Sequence, residues 1–361
     1  MKRNILLLFT FFACITVQGQ TPVRLVDLRS EHLDRPIGLD NPVPRLSWRM
    51  EDGRQGAVQT SWRIVVDEDS LNVVNGCGRM WDSGKNDSRN QLVAYAGKKL
   101  QPFTRYYWKV ICSDMEYKET ASPVSYFETG MMGMQHWQGA WIGDGKDIHY
   151  GSAPYFRKEF KTGKKVKSAR AYIAAAGLYE LYINGEKIGD HCLAPLYTRF
   201  DRRNLYVAYD VTSQLQNGDN AIGVLLGNGW YNHQSKAVWD FDRAPWRNRP
   251  TFCLDLRITY TDGSVETIPT DLSWRTASGA ITFNSIYTGE HYDARLEQKG
   301  WSTPEFDDSK WRGVAYRSVP SSNVTAQQVH PIRNVKIFPA VSFRLSLIHI
   351  SEPTRPEPIS Y

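Results

Sequence analysis

Leu100-Gln-Pro-Phe-Thr-Arg-Tyr-Tyr-Trp-Lys-Val110 decides the fold class. Successive side chains of a strand point to opposite faces. Leu100, Thr104, Tyr106, Trp108 and Val110 therefore fall on one face, and that face is almost entirely apolar or aromatic. Nothing in the stretch repeats at 3.6 residues, so a half-buried strand is expected rather than an amphipathic helix. Tyr106 stands where a hydroxyl can reach back to the preceding corner and anchor it.

The same alternation recurs on both sides. Leu46 and Trp48 share one face upstream, and Trp62, Ile64 and Val66 share the next. Ser125-Tyr-Phe-Glu-Thr129 reads as a closing strand, which makes residues 22–131 one unit. This pattern resembles a fibronectin type III sandwich, in which a tyrosine of a late strand braces a corner. A Met- and Gly-rich joint, Gly130-Met-Met-Gly-Met-Gln135, leads into a second unit over 137–318. Strands are predicted there at Ala169–Ala176, Leu178–Ile183, Asn204–Tyr209, Ala221–Leu226, Phe252–Tyr260 and Val265–Pro269. Turns at Asn184-Gly185, Asn217-Gly-Asp219 and Asp262-Gly263 are each expected to close a hairpin. Asp210 is expected to cap a short helical turn through Leu215. The fold class is all-β: a fibronectin type III-like sandwich followed by a jelly-roll, galactose-binding-like β-sandwich.

Bulk properties narrow the function classes. The chain has 361 residues, room for two or three domains. With 41% hydrophobic and 23% charged residues, wholesale disorder is excluded. A net charge of +6 comes without a basic block, the nearest being Lys161-Thr-Gly-Lys-Lys-Val-Lys167, which argues against a nucleic-acid partner. Lys2, Arg3 and the apolar run Ile5–Val17 have the form of a signal peptide over 1–20, with cleavage after Gly19 or Gln20, so an exported protein is expected. Ala13-Cys14 is a weaker, lipoprotein-like alternative. No later run is long enough to span a bilayer. Cys77, Cys112, Cys192 and Cys253 form no C-x-x-C pair and are expected to be buried free thiols.

Several motifs of the second unit occur in a fixed order. They are Tyr179-Glu-Leu-Tyr-Ile-Asn-Gly-Glu-Lys-Ile-Gly189, Leu193-Ala-Pro195 with Tyr209-Asp-Val-Thr212, and Gly223-Val-Leu-Leu-Gly-Asn-Gly-Trp-Tyr231. Ile286-Tyr-Thr-Gly-Glu-His-Tyr-Asp-Ala-Arg-Leu296 follows, then Gly300-Trp301, Phe306-Asp-Asp308 and Trp311. Together they resemble the N-terminal domain of bacterial α-L-rhamnosidases of glycoside hydrolase family 78. The resemblance implies an accessory region of a modular exo-glycosidase. Its catalytic (α/α)6 barrel would come after these sandwiches and release terminal α-L-rhamnose with inversion, using an acid and a base carboxylate. It also implies a rhamnose-containing carbohydrate as partner, and in some members a calcium ion in the second sandwich.

No catalytic residue is expected in this chain. Candidates for sugar or calcium contact are Asn184, Asn228, Trp230, Glu290, Tyr292, Asp293 and Arg295, polar and aromatic groups at strand ends. Against that stands a structural reading. Glu290, Asp293 and Arg295 can brace a loop, Trp230 can be core, Asn184 can simply form its turn, and His233 is expected to be solvated. His330–Pro339 resembles a linker strand at the start of a missing next domain, with 319–344 as the whole linker. Leu345–Tyr361 reads like translated sequencing-adapter DNA and is left out of the fold. A stand-alone carbohydrate-binding module is the alternative function, and a purely structural adhesion protein a third.

Overall fold

The alternating runs become strands of two β-sandwiches; the computed structural model describes residues 22–236 and 239–342. The signal-like segment 1–20 and the adapter-like tail 345–361 lie outside the described residues. The only α-helix among the described residues is the five-residue Ser70–Val74, capped by the Asp69 carboxylate, which accepts from Leu71 N–H at 2.9 Å.

In the first sandwich, Arg24–Ser30, Arg45–Glu51 and Leu92–Ala94 form one sheet. It covers a second sheet built on Ser61–Asp67, Arg105–Ser113 and Ser125–Thr129. Tyr106, Trp108 and Val110 have no exposed surface and pack with Leu46, Trp48, Trp62 and Ile64. Each fully buried Leu, Ile or Val of this kind stabilises the fold by about 1.5–3 kcal/mol. The Tyr106 hydroxyl accepts a hydrogen bond from Gln101 N–H at 2.8 Å, so the tyrosine anchors the corner as expected.

The second sandwich has a seven-stranded sheet centred on Val166–Ala176 and Thr251–Tyr260. It faces a six-stranded sheet centred on Gly218–Gly227 and Pro154–Thr162. Alternation sorts the seven-stranded sheet into two faces. Ala171, Ile173, Leu254 and Leu256 point into the core, while Arg170, Tyr172, Asp255 and Arg257 lie on the other face, which is turned toward the first sandwich.

That face carries the junction. The Asp40 carboxylate accepts from Met132 N–H (2.8 Å), the Tyr206 hydroxyl (2.6 Å) and Ala326 N–H (2.8 Å). Glu128 of the first sandwich accepts two bonds from Arg170 of the second, at 2.6 and 3.0 Å. Gly130 is required here: a β-carbon on it would lie 2.0 Å from the Tyr206 hydroxyl.

Four expectations change. Asn217-Gly-Asp219 closes no hairpin; it carries the chain from Asn204–Asp210 in one sheet to Gly218–Gly227 in the other. A turn motif specifies a reversal, not which sheet receives the next strand. Val324–Ala326, inside the stretch read as linker, pairs in parallel with Asn204–Tyr206, so the second sandwich runs past residue 318. Residues 330–339 make one isolated bridge, Cys192 to Ile332, rather than a strand. Cys112 and Cys253 are buried free thiols, whereas Cys77 is exposed and Cys192 half-buried, since both follow loops instead of strands.

Candidate functional site

One end of the second sandwich gathers two of the motifs. Strand Gly218–Gly227 finishes there, and Asn228 follows it at once. Hairpin Ile281–Ser285/Gly289–Tyr292 rises beside it. The Asn284 side chain accepts from Asn228 N–H at 2.6 Å, and Asn228 Nδ2 donates to Asn284 C=O (3.0 Å) and Gly151 C=O (3.1 Å). Asn228 Oδ1 accepts from Asn232 Nδ2 at 3.0 Å and from Arg249 Nη1 at 3.3 Å. The Arg249 guanidinium, 2% exposed, is held by Asp144 at 2.6 and 3.1 Å and donates to Tyr150 and Ser152 carbonyls. All of Asn228's hydrogen-bonding capacity is used inside the protein, so it shapes the rim without reaching out from it.

Above this buried network stands an aromatic surface. The Trp230 ring lies 5.7 Å from Tyr197, 5.2 Å from Phe241 and 5.4 Å from Tyr287, the last nearly perpendicular. Tyr197 and Tyr287 keep about half their surface exposed, and Trp239 keeps 75%. Exposed ring faces of this kind can stack on the apolar face of a pyranose.

His233 is fully buried, contrary to the expectation of a solvated side chain. Its ring lies 6.4 Å from Phe241, in the loop that follows, and 5.1 Å from Tyr287, at the tip of a hairpin remote in sequence. Nδ1 accepts from Ser235 N–H at 3.3 Å, which places the proton on Nε2; that atom has no partner among the described residues.

The remaining candidates separate. Asn184 sits at the opposite end of strand Leu178–Ile183, whose Leu178 pairs with Gly227 beside Asn228. That is roughly 17–20 Å away. Its φ is +51°, and its side chain bonds Gln214, Asn220 and Ala221, so it forms its turn and does not join the rim. Glu290 lies on the hairpin opposite Asn284, exposed. Tyr292 is exposed and donates to the Glu297 carboxylate. Asp293 caps the turn Ala294–Leu296, accepting from Arg295 N–H at 3.1 Å and from the Arg295 guanidinium at 2.6 and 2.9 Å. The guanidinium holds the Asp293 carboxyl below the usual carboxylate range, so it carries no proton for general-acid work near neutrality. These residues do not fit calcium, which takes six to eight converging oxygens. Asp293 is committed to Arg295, Asn228 to its network, and no group of three His, Cys, Asp or Glu converges among the described residues. No helix among the described residues is long and apolar enough to cross a membrane.

Sequence reasoning missed Tyr197, Phe241, Asp144, Asn284 and Arg249. Tyr287 stood inside a recognised motif without being singled out. Arg249 gave no signal, because its partners lie about a hundred residues upstream. Motif residues 301–311 turn out to be packing: Trp301 stacks on Tyr155 at 4.5 Å, and Asp308 pairs with the fully buried Arg157.

The comparisons accord with this arrangement. The family description "Rha78A-like, N-terminal immunoglobulin domain" matches residues 25–133, and "Alpha-L-rhamnosidase N-terminal domain" matches 164–336. An α-L-rhamnosidase of Formosa agariphila is 33% identical over 92% of this chain and 38% of its own length. The solved α-L-rhamnosidase of Dictyoglumus thermophilum superimposes with a TM-score of 0.80 at 38% identity, over 87% of this chain and 36% of that one. That of Aspergillus terreus gives 0.78 at 30% identity, over 87% and 36%. The chain thus spans 35–47% of the length of the curated relatives it matches. It belongs to the α-L-rhamnosidase family and corresponds to that family's N-terminal, two-sandwich region.

Proposed function

We propose that the chain is the accessory part of an exported α-L-rhamnosidase, holding a rhamnose-containing carbohydrate for a catalytic domain encoded further along the same polypeptide. The observation that carries this reading is the joint match of both sandwiches, in order, to the N-terminal third of α-L-rhamnosidases. The aromatic rim supports the sugar-holding role. Tyr197 and Tyr287 offer ring faces beside a half-buried Trp230, on a surface fixed from beneath by Asn228 and Arg249. The exposed Glu290 carboxylate is the nearby acceptor for sugar hydroxyls. In this reading calcium is not required.

Purified chain should release no p-nitrophenol from p-nitrophenyl α-L-rhamnoside above a heat-killed control. The relatives' full length restored by fusion to a downstream catalytic region should release it. Calorimetry with L-rhamnose reads the rim: binding should be lost in Trp230→Ala and weakened in Glu290→Ala. Turnover by the chain alone, abolished by Glu290→Gln, would overturn the accessory role.

A further inference from the structure

Between the two sandwiches lies a second concavity, distinct from the aromatic rim, of about 370 Å³. That volume is within the ordinary range of small-ligand sites, and joints between domains are common places for them. Phe103, Arg105 and Tyr107 line it from the first sandwich; Lys167, Arg170 and Arg257 line it from the second. Arg170 and Arg257 are direct partners across antiparallel strands. Like charges so placed destabilise a sheet unless they are compensated. Arg170 is compensated, by Glu128 at 2.6 Å and Asp210 at 2.8 Å. Arg105 shares the same Glu128 at 3.0 Å.

Arg257 is not compensated. Its guanidinium lies over the Phe103 ring at 4.4 Å and makes no side-chain hydrogen bond or ion pair among the described residues. Stacking fixes the plane of a guanidinium and leaves its edge of N–H donors free, the geometry that takes a carboxylate or sulfate through two parallel bonds. Lys167, exposed at the same lip, has no ion-pair partner there either. Glu68 is also on the lip. The lining holds four cations, Arg105, Lys167, Arg170 and Arg257, against Glu68 and Glu128. Asp210 lies behind Arg170, and Asp255, two residues from Arg257 on the same face, is bonded to Gln138 and Gly139 N–H and makes no ion pair with it.

We infer that this inter-sandwich cleft binds an anionic sugar residue, a uronate or a sulfated sugar. The acid group would lie on the free edge of Arg257, assisted by Lys167, and the ring against Tyr107. That the anion is carried by a carbohydrate rests on the proposed function; that the cleft takes an anion does not.

Calorimetry on the whole chain with trigalacturonate, its methyl ester and a sulfated galactose disaccharide tests this. Trigalacturonate should bind, and its uncharged methyl ester at least tenfold more weakly; the sulfated disaccharide tells carboxylate from sulfate preference. Arg257→Met should weaken binding at least tenfold without lowering Tm, because it removes a like-charge neighbour of Arg170. Lys167→Ala should weaken it about threefold, and Lys299→Ala, at an exposed position outside the cleft, should not change it. Equal binding by Arg257→Met or by the methyl ester, an equal loss in Lys299→Ala, or no binding of either acid probe overturns the inference. Should Arg257→Met fail to fold, Lys167→Ala and raised salt decide by the same criteria. Titration with L-rhamnose in the Arg257→Met variant reads the rim separately, so loss at one site is not mistaken for loss at the other.

Discussion

The two ends of the second sandwich are each organised by an asparagine, and they are built differently. Asn184 works locally: it adopts φ +51°, precedes Gly185 at +86°, and joins strand Leu178–Ile183 to Glu186–Lys187. Its side chain then ties in Gln214 and Asn220. Asn228 works at long range, linking Gly151, Asn284 and Arg249, with Asp144 behind. The local end is a tight turn with little exposed aromatic surface. The long-range end supports a half-buried Trp230 and leaves Tyr197 and Tyr287 about half exposed beside it. A rim that must present a shaped surface is fixed by cross-links from several loops, since no single turn can hold three rings in relation to one another.

The sharpest way to break this contrast is Arg249→Met. It strips Asp144, whose side chain is 6% exposed, of its buried partner, and should cost about 3–5 kcal/mol in urea unfolding. A loss as small as that of an exposed pair would mean the network does not hold the rim.

A second test extends the long-range logic to the joint. Asp255 accepts from Gln138 and Gly139 N–H at 2.8 Å each, and burial pushes its carboxyl up to about 6. A carboxyl whose folded value exceeds its unfolded one favours the folded state most at low pH. This contribution is fully present below about pH 4 and lost as pH rises through about 6, by up to about 3 kcal/mol. Stability measured from pH 4 to 7 should show that component falling, and Asp255→Asn should flatten it. An unchanged slope in the variant would remove Asp255 as its source.

Smaller effects belong to the local end. Asn184→Ala loses three side-chain bonds and places alanine at positive φ, for about 1–2 kcal/mol, with L-rhamnose binding unchanged. A change in rhamnose affinity would couple two ends that lie apart in the fold. The smallest effect is expected from Asp293→Ala: about 0.5–1 kcal/mol in urea unfolding, from the lost cap on Arg295 N–H, since the surface Asp293–Arg295 ion pair itself contributes little.

Which residues were legible in the sequence follows the same division. Tyr106's corner and the hairpins at Asn184-Gly185 and Asp262-Gly263 were readable, each being a relation among residues close in sequence. The short turn after Asp210 was readable too, but its cap position is Val211, and Asp210 only accepts from Thr212 N–H at 3.1 Å. The order of motifs was enough to place the chain among α-L-rhamnosidases. His233 and Arg249 were not readable, and neither was the destination of the chain after Asn217. Their environments come from segments tens to a hundred residues distant.

The all-β class, the inward face of three strands of the first sandwich and the turns that carry their own signals were fixed within the sequence, because strand period and turn stereochemistry are short-range physics. The fold as a whole settled which sheet each strand joined, that Asn228 was consumed internally, and that Trp230 packs half-buried among Tyr197, Phe241 and Tyr287. It also decided that Arg170 and Arg257 stand side by side facing Phe103. Those outcomes depend on which buried polar groups find partners across the fold, and a lone side chain's sequence neighbours do not specify that.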